Sequence, residues 1–292
     1  MKSQLQHPKT FSMEFFPPKT EEGVAKLRTT IGELGQLNPS YFSVTFGAGG
    51  STQQGTLDTV FDIQKAGFDV APHLSCIGTT RESIRNILKK YMDKGIDRIV
   101  ALRGDLPSGM GGEAGDFSYA NELVEFIRKE TGDYFYIEVA AYPEFHPQAS
   151  CSSVDLKNFK RKVDSGANAA ITQYFYNVDA YVMFVDDCEK MGLQIPVVPG
   201  IMPITNFEQL ARFSDNCGSE IPRWIRMRLD DFGDDIVSLK QFGQDVTTEL
   251  CRRLIEAGAP GLHFFTMNQV EPTRRIWNDL GLGKRSSSSG QS

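Results

Sequence analysis

Five times along this chain a helix-length polar segment ends in glycine, and an apolar run starts within a few residues. The stops are Ala66-Gly67, Lys94-Gly95, Ser165-Gly166, Met191-Gly192 and Ala257-Gly258. Glycine takes the left-handed conformation that closes a helix. Helix stops that lead directly into strands describe repeated βα units, and strands joined by such crossovers run parallel. Eight runs rich in β-branched and aromatic residues fit the pattern: Phe11–Phe16, Tyr41–Phe46, Asp69–Cys76, Arg98–Gly104, Tyr136–Tyr142, Ala169–Tyr176, Ile195–Ile201 and Gly261–Met267. Near-continuous apolar stretches such as Ile99-Val100-Ala101-Leu102 suit a sheet covered on both faces.

Eight units in one chain of 292 residues predict an α/β fold, a single-domain (β/α)8 TIM barrel over residues 1–282. A doubly wound open sheet is the competing architecture. Thr79-Thr80-Arg81-Glu82 reads as a capping box opening a helix, with Ile84, Ile87, Leu88 and Tyr91 on one face. The stretch from Met202 to Pro260 is too long for one helix. Asn206–Phe213, Arg223–Arg228 and Val246–Glu256 are the candidates within it, with Asp230–Asp235 as a polar connection. The Ser-rich end, residues 283–292, is low in complexity and is expected to be a disordered tail.

The formal charge of −6 argues against a nucleic-acid partner. No run approaches the length of a membrane span, and the polar start at Met1–Thr10 does not read as a signal peptide. Five cysteines with no CxxC pair, and four scattered histidines, suggest neither a disulfide framework nor a metal site. A reducing cytoplasm is the natural setting. A homo-oligomer is the expected assembly.

In a parallel barrel the carboxyl ends of the strands and the loops after them build the site. That rule selects Glu14, Thr45, His73, Arg103, Asp105, Tyr142, His146 and Gln173. Taken singly, a buried Glu is more often a satisfied ion-pair partner, and a lone His more often a packed core residue. Their convergence on one rim is what points to chemistry. Gly47-Ala48-Gly49-Gly50 could offer amides to an anion or form a plain turn. Gly109-Met110-Gly111-Gly112-Glu113-Ala114 matches G-x-G-x-x-A, but it lies several residues past its strand and opens no helix, so a loop is expected. Asp155, Asn158, Arg161 and Lys162 fall along one stripe of a helix. Such a stripe could hold a diphosphate and a sugar hydroxyl, while Lys157 and Lys160 read as solvated.

Six short motifs in order now carry a resemblance. Glu14-Phe15-Phe16-Pro17-Pro18, Ser43-Val44-Thr45, Ala71-Pro72-His73-Leu74, Ala101-Leu102-Arg103-Gly104-Asp105, Ala140-Ala141-Tyr142-Pro143-Glu144 and Ile171-Thr172-Gln173 resemble the methylenetetrahydrofolate reductases, from about Phe11 to Leu282. The size resembles the bacterial, catalytic-only form, without a regulatory domain that binds S-adenosylmethionine. The resemblance implies FAD held by a barrel, NADH or NADPH as electron donor, and ping-pong reduction of 5,10-methylenetetrahydrofolate to 5-methyltetrahydrofolate through the reduced flavin. It places the chain in one-carbon metabolism and methionine biosynthesis. The implied flavin positions are Thr45, His73, Arg103, Gly104, Asp105, Tyr119, Ala120, Tyr142, His146, Asp155, Asn158, Arg161, Lys162 and Ala167. Those implied for folate and nicotinamide are Glu14, Asp105, Gln173, Gln209 and Phe213. Gln269 stands where the resemblance leads us to expect arginine, which bears on the grip on folate's anionic end.

Glu14 is the expected general acid, because opening the substrate ring expels an amine that needs a proton. Its strand environment is expected to raise its pKa toward neutrality. Asp105 is expected to stay ionised and steady the cation. Three other readings fit parts of the pattern. These are a different FAD barrel such as a proline dehydrogenase, a folate methyltransferase barrel using zinc, and a non-catalytic flavin or folate binder.

Overall fold

The computed structural model describes residues 1–46, 50–104 and 115–282. A short 3-10 turn at Gln4–Gln6 precedes strand β1 (Thr10–Phe15) and helix α1 (Glu21–Gly35). The alternation continues with β2 (Tyr41–Val44), α2 (Gly50–Lys65), β3 (Val70–Ser75), α3 (Arg81–Asp93), β4 (Arg98–Leu102) and α4 (Ala120–Thr131). Next come β5 (Tyr136–Ala141), α5 (Ser152–Asp164), β6 (Ala169–Tyr174), α6 (Val178–Lys190) and β7 (Val197–Ile201). Three helices, α7 (Phe207–Cys217), α8 (Arg223–Asp231) and α9 (Ile236–Glu256), then lead to β8 (Gly261–Phe265) and α10 (Thr273–Asp279).

The strands follow one another in sequence order and close into a barrel. Closure comes from parallel pairing of β1 with β8, where Ser12 faces His263 and Glu14 faces Phe265. The open sheet is thereby excluded. All eight sequence-predicted strands are present, each within a residue or two of its expected ends. The five glycine stops all carry positive φ, from 72° at Gly95 to 112° at Gly166. The proposed tail at 283–292 lies outside the described residues.

Two local expectations change. Helix α3 is capped by Thr80, whose hydroxyl accepts the Ser83 amide at 3.2 Å. Thr79 instead donates to the Cys76 carbonyl at 2.6 Å. The cap sits one residue later than a box with Glu82 requires. Ile84, Ile87, Leu88 and Tyr91 are buried as expected. Helix α9 begins at Ile236, ten residues before the sequence suggested, with Asp235 accepting from the Ser238 amide. Gly243, which weakens the helical pattern in sequence, lets α9 approach the loop after β7. A Cβ there would stand 2.3 Å from the Ile204 carbonyl oxygen.

Alternation along the strands separates two interiors. Outward residues such as Met13, Phe15, Phe42, Val44, Leu74, Ile99, Ile137, Val139, Leu262 and Phe264 pack under the helices as one continuous core. The inward set is different. Its apolar part is small, formed by Tyr41, Ala71, Val100 and Ile171 with Leu102 against them. Branched apolar layers usually fill this space. Here Ser12, Ser43, His73, Glu138 and His263 occupy it, all buried.

Candidate active site

The carboxyl ends of β4 and β5 and the face of α5 enclose a cavity of about 820 Å³. Arg103 and Gly104 line it after β4, and Tyr119 and Ala120 line it at the start of α4. Tyr142 and His146 line it after β5, and Asp155, Asn158, Arg161 and Lys162 come from α5. The whole stripe picked out on α5 therefore faces one space. The neighbouring Lys160 pairs outward with Asp164 at 2.7 Å, as a solvated residue would.

The cavity wall is pre-ordered by its own hydrogen bonds. Asp155 accepts the His146 amide at 2.9 Å, which ties the loop after β5 to α5. His146 Nδ1 accepts from the Gln148 amide at 3.1 Å, so its other nitrogen carries the proton. Tyr142 and His146 meet edge to face, with ring centroids 4.6 Å apart. Arg161 donates to Asn158 at 2.9 Å, and Arg103 to Gln148 at 2.6 Å. Gly104 has φ +82°, and a Cβ there would meet Ser75 at 3.0 Å. Lys162 reaches inward to the Ala140 carbonyl. Burial of its ammonium lowers the pKa from 10.5 to about 8, against the opposing pull of Asp155. Three cations facing one carboxylate give the space a preference for anions.

Other expected residues lie elsewhere. Gln173 on β6, and Gln209 and Phe213 on α7, stand further round the mouth from this cavity. Gln209 and Phe213 are one helical turn apart, and Phe213 is partly exposed. Thr45 lies at the end of β2, with its amide donating to the Phe15 carbonyl at 2.9 Å. Ala167 is a correction. It precedes β6 at the amino-terminal end of the barrel, where its amide donates to the Lys162 carbonyl, and so it does not reach the cavity. Asp105 and the glycine clusters at 47–49 and 109–114 lie outside the described residues.

Glu14 and His73 belong to a separate centre inside the mouth. Glu14 Oε2 stands 3.2 Å from His73 Nε2 and 3.4 Å from His263 Nε2. The His73 nitrogen is close enough for an ion pair but has no aligned hydrogen bond among the described residues. The Glu14 side chain is 16% exposed, against 8% for His73 and 0% for His263, so it is the member nearest the opening. Burial alone would raise the Glu14 pKa, as the sequence suggested. The two imidazoles outweigh burial and hold it at about 2. The expectation of a near-neutral carboxyl is therefore corrected for the resting protein, because the sequence reading gave Glu14 no histidine partner.

His263 and Ser12 are the residues that sequence reasoning missed. His263 Nδ1 is 2.7 Å from Ser12 Oγ, and the pair are register partners on β8 and β1. A polar residue flanked on both sides by apolar ones in Gly261-Leu262-His263-Phe264-Phe265 was the available signal. Around them the strand end is clamped. Thr266 donates to the Glu14 carbonyl at 2.6 Å, and Asn268 brackets Phe16 through both the amide and the carbonyl.

A model of the methylenetetrahydrofolate reductase family matches residues 1–281. The chain is 41% identical over 272 residues to the 5,10-methylenetetrahydrofolate reductase of Escherichia coli strain K12, covering 93% of this chain and 90% of that one. It is 40% identical over 281 residues to the enzyme of the same name from Pectobacterium carotovorum, covering 96% and 93%. It is 39% identical to methylenetetrahydrofolate reductase (NADH) 1 of Zea mays, of which it covers 48%. Among solved structures, a Clostridium thermocellum protein described as binding two copies of 5-methyl-5,6,7,8-tetrahydrofolic acid superposes with a TM-score of 0.68 over 96% of this chain and 98% of that one. At 17% identity this likeness shows the fold.

Proposed function

This chain belongs to the methylenetetrahydrofolate reductase family, oxidoreductases that convert methylenetetrahydrofolate to methyltetrahydrofolate, and we propose that it uses FAD, an NADH or NADPH donor and Glu14 as the general acid. The observation that carries the cofactor assignment is the α5 stripe lining one cavity with Arg103. Its volume falls within the usual range of about 300–1,000 Å³ for cofactor sites.

Arg103, Arg161 and Lys162 would neutralise a diphosphate. Asn158 and Asp155 would hold sugar hydroxyls, and Tyr142 offers a ring face. Thr45, His73, Gly104, Tyr119, Ala120 and His146 complete the proposed contacts. When bound, FAD supplies a hydride carrier between the nicotinamide and the folate, which divides turnover into two half-reactions with ping-pong kinetics.

Gln173 can donate and accept at once, which suits the amide edge of a pterin or a nicotinamide. Gln209 and Phe213 present an amide and an aromatic face from one side of α7. Asp105, from its place in the Arg103-Gly104-Asp105 motif, is assigned to the pterin and to the cation formed when the ring opens.

Glu14 must deliver a proton to the leaving nitrogen although its pKa rests at about 2. The lowering comes from its imidazole neighbours. Burial acts in the opposite direction. Glu14, which is more open to the mouth than either imidazole, passes its proton to substrate.

Four large apolar side chains, Trp224, Met227, Ile236 and Val237, are exposed on α8 and the start of α9, which supports a homo-oligomer. Among the described residues no helix is long and apolar enough to cross a membrane. The free cysteines are consistent with a cytoplasmic setting.

The test of this reading is the visible spectrum of the purified protein. A flavin spectrum should be bleached by NADH or NADPH, whichever is the donor, and restored by methylenetetrahydrofolate. A protein that takes up no flavin, or one that bleaches and is not restored, would contradict it.

A further inference from the structure

The barrel interior holds a continuous line of polar side chains where apolar layers are usual. It starts at Glu14, near the carboxyl end of β1. Glu14 Oε2 is 3.4 Å from His263 Nε2, and His263 Nδ1 is 2.7 Å from Ser12 Oγ. Ser12 is the register partner of Tyr41 on β2, which brings its hydroxyl close enough to act on the Tyr41 hydroxyl. Tyr41 Oη donates to Glu138 Oε1 at 2.9 Å. Arg98 donates to the same oxygen at 3.2 Å, with its guanidinium between the Tyr41 and Tyr136 rings.

This line ends in a second cavity, of about 300 Å³, at the amino-terminal end of the barrel. Arg98, Tyr136 and Glu138 line its inner side, and exposed Pro8 and Gln194 line its rim. Glu138 is 1% exposed, and its Oε2 has no hydrogen-bond partner among the described residues. A buried, unpartnered carboxylate oxygen is costly, whereas a protonated one is much less so. Every member between the two carboxyls, an imidazole and two hydroxyls, can both give and accept a proton.

We infer that this line is a proton path through the barrel, along which Tyr41, Ser12 and His263 carry a proton from Glu138 to Glu14 to restore the acid after each turnover. The inference rests on the reading of Glu14 as the general acid. Reduction of the methylene bridge by a nicotinamide consumes one proton per turnover. With cofactor and folate seated over the mouth, the opposite end of the barrel is the open route.

The transfers balance along the line. After Glu14 has protonated the leaving nitrogen, its carboxylate takes the Nε2 proton of His263. Nδ1 takes the proton of Ser12; the Tyr41 hydroxyl, which at rest donates to Glu138, turns and gives its proton to Ser12, and Tyr41 then takes that of Glu138. Glu138 is then recharged by water in the amino-terminal cavity. Burial raises the Glu138 pKa above its ordinary value and outweighs Arg98, Tyr41, His263 and His73, which act to lower it. Tyr136 also faces it. Burial, with Glu138 beside it, holds the Tyr41 hydroxyl far above its usual range, so Tyr41 relays without standing ionised.

The test compares first and later turnovers of the flavin-loaded enzyme in Tyr41→Phe and Glu138→Gln. The flavin-to-folate step of a single turnover should stay within about twofold of wild type, because the first proton is already in place at the Glu14 end of the line. Steady-state kcat should fall at least about tenfold with KM little changed, since general acid catalysis is worth about two to four decades. Infrared spectroscopy should show a carboxylic C=O stretch in the wild type that is lost in Glu138→Gln. Unchanged kcat in all variants that fold, equal loss in first and later turnovers, or absence of that band would overturn the path. Failure of the Glu14 reading is separate, since it would appear as a normal first turnover in Glu14→Gln.

Discussion

Lys162 gives the most quantitative handle on the proposed cofactor site. Its ammonium sits against the Ala140 carbonyl, and its pKa falls from 10.5 to about 8 through burial. In the free protein the charged form is thus disfavoured by 10.5 − 8 = 2.5 units. At about 1.36 kcal/mol per unit this is about 3 kcal/mol. The unfolded chain holds a proton that the folded one lacks between about pH 8 and 10.5, so this group makes the free protein more stable as pH rises through that window.

Anion binding reverses the preference. A diphosphate beside Lys162 favours its charged form and raises its pKa in the complex. FAD affinity should therefore be flat below about pH 8 and fall by up to tenfold per unit above it. The fall ends where the complex itself loses the proton. The largest effect is about 300-fold if binding restores the full 2.5 units. Lys162→Met should bind FAD weakly and show no such slope. Flavin fluorescence titrations of the stripped protein from pH 7 to 10 would measure both. A flat profile for the unmodified chain, or the same slope in Lys162→Met, would refute the placement of the diphosphate.

Two further outcomes are expected. Asn268 has φ +56° and makes two hydrogen bonds to the Phe16 backbone, so Asn268→Ala loses both and strains the backbone, at a cost of about 2 kcal/mol in denaturant unfolding. Asn268→Gly should lose less, and a change below about 0.5 kcal/mol in the alanine variant would dismiss the clamp. Asp105→Asn should retain FAD but slow folate reduction by about one to two decades, the usual worth of a hydrogen bond to a charged group. Normal folate kinetics would remove Asp105 from the site.

The fold was legible because its punctuation is local. A glycine with positive φ needs only its own chain neighbours, so Gly67, Gly95, Gly166, Gly192 and Gly258 mark helix ends in the sequence as clearly as in the structure. The α5 stripe was legible for a similar reason, since one helix fixes the mutual positions of Asp155, Asn158, Arg161 and Lys162. Contacts between distant strands were not. Ser12 and His263 are 251 residues apart and meet only because β8 closes on β1. Without the contacts to His73 and His263 Glu14 had no imidazole partner in the sequence reading, and its pKa was expected to move the wrong way. Ala167 was misplaced because it came from the resemblance alone, and no pattern in the chain around it says which end of the barrel it occupies. Gly243 obscured the start of α9, because a glycine required for close packing looks the same in sequence as a helix breaker.

The central claim is that Glu14 supplies the proton for ring opening, and it divides the two half-reactions. Hydride transfer from the nicotinamide expels no amine, whereas folate reduction does. Glu14→Gln keeps the size of the side chain and an acceptor for His263 but cannot deliver a proton. Stopped-flow absorbance of the flavin-loaded variant should show a near-normal nicotinamide step and a folate step slower by about two to four decades. Equal slowing of both steps, or slowing of the nicotinamide step alone, would contradict the account.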